Sequence, residues 1–138
     1  MKGKIRGVFL LIFAILSSTA HACRPSGLEY AIQFEKNSSS LSSETAEKLA
    51  NWFLYARDNL QATEINIFST SYKSKPELNK ISEERMANIE RLFRTMNSQG
   101  TPIYKNTNET SSVSNTLNVV MIDVHPGCAK NNTCCPFK

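Results

Sequence analysis

Asn79, Ser82 and Arg85 recur at intervals of three in the stretch 79-NKISEERMA-87. The stretch opens an amphipathic helix with Arg85 in its first turn, after a polar loop rich in Ser, Lys and Thr. A guanidinium in the first turn of a helix can hold a carboxylate with two parallel N–H donors, assisted by the unpaired backbone N–H groups there. The preceding stretch, 69-STSYKSKPE-77, supplies hydroxyls and two lysines but no acid before Glu77. Ser71, Asn79 and Ser82 are neutral contacts that would complete a site around Arg85. The opposing reading of Arg85 is an exposed helix residue paired with Glu84, Glu90 or solvent. Asn79 alone would cap the helix or turn the loop.

These residues suit recognition better than bond-making. The chain contains no G-x-S-x-G, H-E-x-x-H or Walker-type motif. His125 stands in 125-HPGC-128, and a Cys/His pair there would need a free cysteine. No enzyme activity and no cofactor are expected. A zinc site built from His125 and the nearby cysteines lacks the paired C-x-x-C spacing of zinc ribbons, so no metal is expected either.

The elements that would position these residues follow from periodicity. Residues 28-LEYAIQF-34 alternate as a strand. After a polar loop, Ser43 is the expected N-cap of a helix, with Glu44 and Glu47 favouring its start. Ala46, Leu49, Phe53, Ala56 and Leu60 form its apolar stripe, and Trp52 and Tyr55 widen the edges. Residues 63-TEINIF-68 read as a second strand, 69–78 as a loop, and about Lys80 to Met96 as a second helix buried along Met86, Ile89, Phe93 and Met96. A short strand at 102-PIYK-105, a polar turn region over 106–116 and a central strand at 117-LNVVMIDV-124 complete the order β–α–β–α–β–β. This predicts a two-layer α/β sandwich with the helices on one face of a mixed sheet.

The N-terminus has the three parts of a secretory signal peptide: Lys2, Lys4 and Arg6, then 8-VFLLIFAIL-16, then 20-AHA-22. Cleavage is expected after Ala22, leaving residues 23–138 as one domain with no transmembrane segment. Lipidation of Cys23 is the weaker alternative, because Ala20 stands where a lipobox usually has Leu. The chain has 16 Lys+Arg and 12 Asp+Glu, and three of the basic residues belong to the leader. What remains is close to neutral, which excludes a nucleic-acid-binding surface based on bulk charge. Cys23, Cys128, Cys134 and Cys135 lie at the two ends of the exported part and read as a disulfide clasp. Pairing of the adjacent Cys134 and Cys135 would be strained; the other two pairings both join Cys23 to one of them and Cys128 to the other. Asn37, Asn108 and Asn131 begin N-x-S/T sequons, which matter only in a eukaryotic secreted protein.

The pattern resembles the OmpA-like domain of bacterial envelope proteins, from about Tyr30 to Val124. The segments that carry the resemblance are 32-IQFEKNSSSL-41, 65-INIFST-70, 79-NKISEERMA-87 with Arg85 in the arginine slot, 100-GTPI-103 and 118-NVVMIDV-124. The resemblance implies a periplasmic, outer-membrane-associated location and non-covalent binding of peptidoglycan, with Arg85 on the diaminopimelate carboxylate. The family pattern also has an Asp in the loop after the second strand. Here Thr70, Ser71 or Tyr72 takes that slot, and the Arg-Arg pair before the last strand is replaced by 116-TLN-118. Loss of the acid is expected to weaken binding of the ligand ammonium about ten- to a hundredfold. The alternative is a periplasmic protein-binding module on the same scaffold: an immunity protein, an inhibitor or an assembly subunit.

Overall fold

Ile32 and Phe34 are two residues apart and both are buried, while Ala31 and Gln33 between and beside them are exposed. That period of two makes β1, Glu29–Gln33, a strand with one face on the core. The structure, a computed structural model, describes residues 27–110 and 118–130. Its elements continue with α1 (Ser43–Asp58), β2 (Ala62–Tyr72), α2 (Pro76–Met96), β3 (Ile103–Thr110), β4 (Val119–Pro126) and the short α3 (Gly127–Lys130). The expected signal peptide, Cys23, Cys134 and Cys135 lie outside the described residues. No free cysteine occurs among the described ones.

The strands form one mixed sheet in the order β1-β4-β2-β3. β4 is antiparallel to both β1 and β2, and β3 is parallel to β2. The expected element order and two-layer α/β architecture are both present. β4 lies inside the sheet, and Val120, Ile122 and Val124 alternate toward the helices at 2% exposure or less. They meet Leu49, Phe53 and Ala56 of α1 and Met86, Ile89 and Phe93 of α2 in one cluster. Phe53 stacks on Phe93 with ring centroids 4.7 Å apart. Trp52 bridges Tyr30 and Phe93, and its indole N–H donates to the Gly27 carbonyl at 2.9 Å. Trp52 is thus half-buried at the core edge as its flanking position predicts, whereas Tyr55 remains exposed.

Four boundaries differ from the sequence expectation. Ser42, not Ser43, caps α1, and its side chain accepts from the Thr45 amide at 3.1 Å. β2 runs through Tyr72, so Thr70, Ser71 and Tyr72 are strand residues rather than loop residues. α2 begins at Pro76 rather than near Lys80, because proline suits the first helical turn, where its missing N–H would be unpaired anyway. β3 extends to Thr110 through the polar run 106-NTNET-110. As an edge strand held by backbone bonds to β2, it needs no apolar face.

Candidate functional site

Starting α2 at Pro76 changes the setting of Arg85. It lies nine positions into the helix, in its third turn, beyond reach of the unpaired N–H groups of the first turn. It is only 2% exposed, so it is not the surface arginine of the simpler reading. Its Nε donates to the Ser38 carbonyl at 2.7 Å. Its Nη2 donates to the Glu35 carbonyl at 2.9 Å and to Asn118 Oδ1 at 3.2 Å. The guanidinium carbon stands 5.0 Å from the centre of the Phe34 ring, which adds a cation–π contact. Desolvation lowers the Arg85 pKa from its ordinary value. Carbonyl dipoles and the aromatic face compensate the buried charge, with no carboxylate among these contacts.

The neighbouring α2 residues act in the same way. Asn79 makes a two-way clamp on Tyr72: the Tyr72 amide donates to Oδ1 at 2.7 Å, and Nδ2 donates to the Tyr72 carbonyl at 3.0 Å. The buried Ser82 donates to the Thr70 carbonyl at 3.3 Å. Asn88 Nδ2 donates to the Ser39 carbonyl at 2.8 Å, and the Ser39 hydroxyl donates to Glu84 Oε2 at 3.1 Å. One side of α2 therefore holds main chain along its length. Its first half fastens the end of β2, and its middle fastens the loop between β1 and α1. Three of the four residues expected at the site, Asn79, Ser82 and Arg85, do come together as a row. Ser71 sits half-buried on β2, opposite Glu109 of β3, and is not part of that row.

The acid missing from residues 70–76 is not supplied by Glu77. That residue is exposed in the first turn of α2, about 12 Å along the helix axis from Arg85. Two acids border this arrangement: Glu84, whose carboxylate accepts from Ser39, and Glu35, whose main-chain carbonyl Arg85 holds. The same loop and the start of α1 line a polar cleft of about 280 Å³, with Glu35, Ser38, Ser40, Ser42 and Thr45 in its wall beside Phe34 and Leu41. Its hydroxyls are ordered by one another: Ser38 and Ser40 are 2.9 Å apart, and Ser42 donates to Thr45 Oγ1 at 2.8 Å. Asn37 takes a left-handed backbone, φ 59°, to turn the loop around this cleft.

Sequence reading missed Phe34, Glu35, Asn88 and Asn118 as parts of this arrangement. Asn88 could have been found, since it follows Arg85 at a spacing of three on the same helix. The others enter through a carbonyl, a ring face and a residue from β4's approach, none of which has a local signature. Among the described residues there is no group of three potential metal ligands and no helix long and apolar enough to cross a membrane. His125 is an exposed β4 residue opposite Glu64 of β2.

No protein-family model and no curated protein sequence matches the chain. Solved structures do. The OmpA-like domain of FopA1 from Francisella tularensis aligns with a TM-score of 0.55 at 12% identity, over 71% of this chain and 72% of that one. The periplasmic domain of Helicobacter pylori MotB aligns with a TM-score of 0.55 at 9% identity, over 75% and 79% of the two chains. With its mixed four-stranded sheet and two long helices packed on that sheet, this chain has the OmpA-like fold.

Proposed function

We propose that the chain is a small exported module of the cell envelope that binds the peptidoglycan stem peptide non-covalently in the cleft between the β1–α1 loop and the start of α1. The observation that carries this reading is the Arg85 clamp: the guanidinium in the family's arginine slot fixes the loop that supplies Glu35 and the serine hydroxyls to the cleft. In this reading Arg85 is a positioning residue, Glu35 takes the ligand ammonium in place of the absent Asp, and the first turn of α1 faces the carboxylate. Asn79 and Ser82 keep the end of β2 in place beside it.

Retention of the purified protein on sacculi tests the proposal. Glu35→Gln keeps the size and main-chain contacts of the residue and is expected to weaken retention about tenfold, the loss of one charged hydrogen bond. Arg85→Lys is expected to weaken retention while loosening the loop. Equal retention of wild type and Glu35→Gln would remove the cleft from the mechanism.

The second reading, a periplasmic protein-binding module, is favoured by a specific observation. Arg85 Nε and Nη2 point to protein oxygens, and no acid stands in the 70–76 segment. Under that reading sacculi do not retain the wild-type protein at all.

A further inference from the structure

β3 forms one edge of the sheet, paired to β2 along Ile103–Thr110. Protein edges of this length are usually blunted by proline, a bulge, a covering element or charged side chains, and here only the charges of Lys105 and Glu109 lie on the strand itself. Within its eight residues, 103-IYKNTNET-110, β3 has no proline, and its pairing to β2 shows no register shift. The Ile65 amide donates to the Pro102 carbonyl at 2.9 Å. Continuing that phase along a parallel ladder turns the amides of Tyr104, Asn106 and Asn108 toward β2. The N–H and C=O groups of Lys105, Thr107 and Glu109 then point to the outer edge.

We infer that this edge pairs with the same edge of a second copy of the chain, antiparallel and centred on Thr107, joining two sheets into one continuous sheet. Charge complementarity selects both the occupant and the register. In an antiparallel pair centred on Thr107, Lys105 of one copy stands opposite Glu109 of the other, and the two-fold axis repeats the pair. Thr107 stands opposite Thr107, a favourable cross-strand pair. The same register opposes the outward-turned backbone groups, so each of these three pairs exchanges two hydrogen bonds, about six in all. Shifting the register by two residues keeps the backbone bonds but separates Lys105 from Glu109.

The intrachain partners extend the pattern. Lys105 Nζ lies 2.6 Å from Glu90 on α2, and Glu109 lies 3.8 Å from Lys73. Pairing across the axis therefore gives rows of alternating sign, Glu90–Lys105–Glu109–Lys73, in which no two like charges are adjacent. An unrelated extended peptide would satisfy the backbone groups but would have no reason to present Glu opposite Lys105 and Lys opposite Glu109. The contact is isologous, so it closes at two copies.

The test needs no ligand: molar mass by light scattering and sedimentation across a concentration series, using the full exported protein with its native cysteines oxidised. The expected result is a reversible monomer–dimer equilibrium. Thr107→Pro removes an outward N–H without touching the ladder to β2 and is expected to raise the dimer Kd at least about tenfold. Glu109→Lys, which sets like charges across the axis and beside Lys73, is expected to weaken the dimer. Thr107→Cys is expected to cross-link to its counterpart on oxidation, because hydrogen-bonded antiparallel pairs place their Cα atoms about 5.5 Å apart. A protein that is monomeric at every concentration, or a dimer that Thr107→Pro leaves unchanged, overturns the inference.

Discussion

Replacing Arg85 with alanine should destabilise the protein by about 2–3 kcal/mol. The figure follows from its contacts. Two loop carbonyls, of Ser38 and Glu35, lose their donor. Because Glu35, Lys36 and Asn37 are exposed, water replaces part of each bond, which leaves a cost of roughly 1 kcal/mol apiece. Loss of the packed stem and of the contact with Phe34 adds about 1–2 kcal/mol. Relief from burying a charge offsets about 1 kcal/mol of this. Urea unfolding followed by Trp52 fluorescence measures it cleanly, since Trp52 is the single tryptophan and lies between Tyr30 and Phe93. Arg85→Lys, which keeps the charge but not the fork, should fall between wild type and alanine. A change below about 0.5 kcal/mol is what an exposed helix arginine would give, and it would refute the clamp.

Other consequences are equally direct. Asn79→Asp keeps the acceptor for the Tyr72 amide but sets a carboxylate oxygen against the Tyr72 carbonyl, and should cost about 1–3 kcal/mol in the same assay. The Glu90 pKa is lowered, first by the Lys105 hydrogen bond and then by that of Arg94. A carboxylate with a depressed folded-state pKa contributes stability that is present above its unfolded value and lost as pH falls through the folded one. Acid titration of stability should therefore fall more steeply in wild type than in Glu90→Gln below the ordinary carboxylate range; identical acid limbs would contradict this. If the cysteines form the clasp expected from sequence, reduction should lower stability by roughly 3–5 kcal/mol, and an unchanged urea midpoint in reductant would count against it.

The core was readable because its signals are periodic. Leu49, Phe53 and Ala56 recur at helical spacing, and Val120, Ile122 and Val124 at strand spacing, and all six are buried. β3 was read too short because the usual strand signal is an apolar face, and Asn106, Thr107 and Asn108 have none. The start of α2 at Pro76 lies inside a polar stretch whose composition alone reads as loop. The setting of Arg85 was not readable. Its loop partners are main-chain carbonyls 47 and 50 residues away, and a carbonyl is the same for every residue type. A motif match could locate the arginine but could not tell whether its donors face a ligand or the chain itself.

The strand order β1-β4-β2-β3 also dictates a sequence of events in folding. β2, α2 and β3 are consecutive, so their pairing closes a short stretch of chain and can form early. β1 has a different fate: among the described strands its neighbour is β4, and Glu29 pairs with Asp123 across nearly the whole described chain. Closing so long a loop carries its entropy cost before any contact rewards it. The sheet is thus completed by β4 entering between β1 and β2, and until then one edge of β2 stands open with its N–H and C=O groups unpaired. Aggregation during refolding should accordingly track the lifetime of that half-built sheet, which makes substitutions in β4 more damaging to yield than equally buried substitutions in α1.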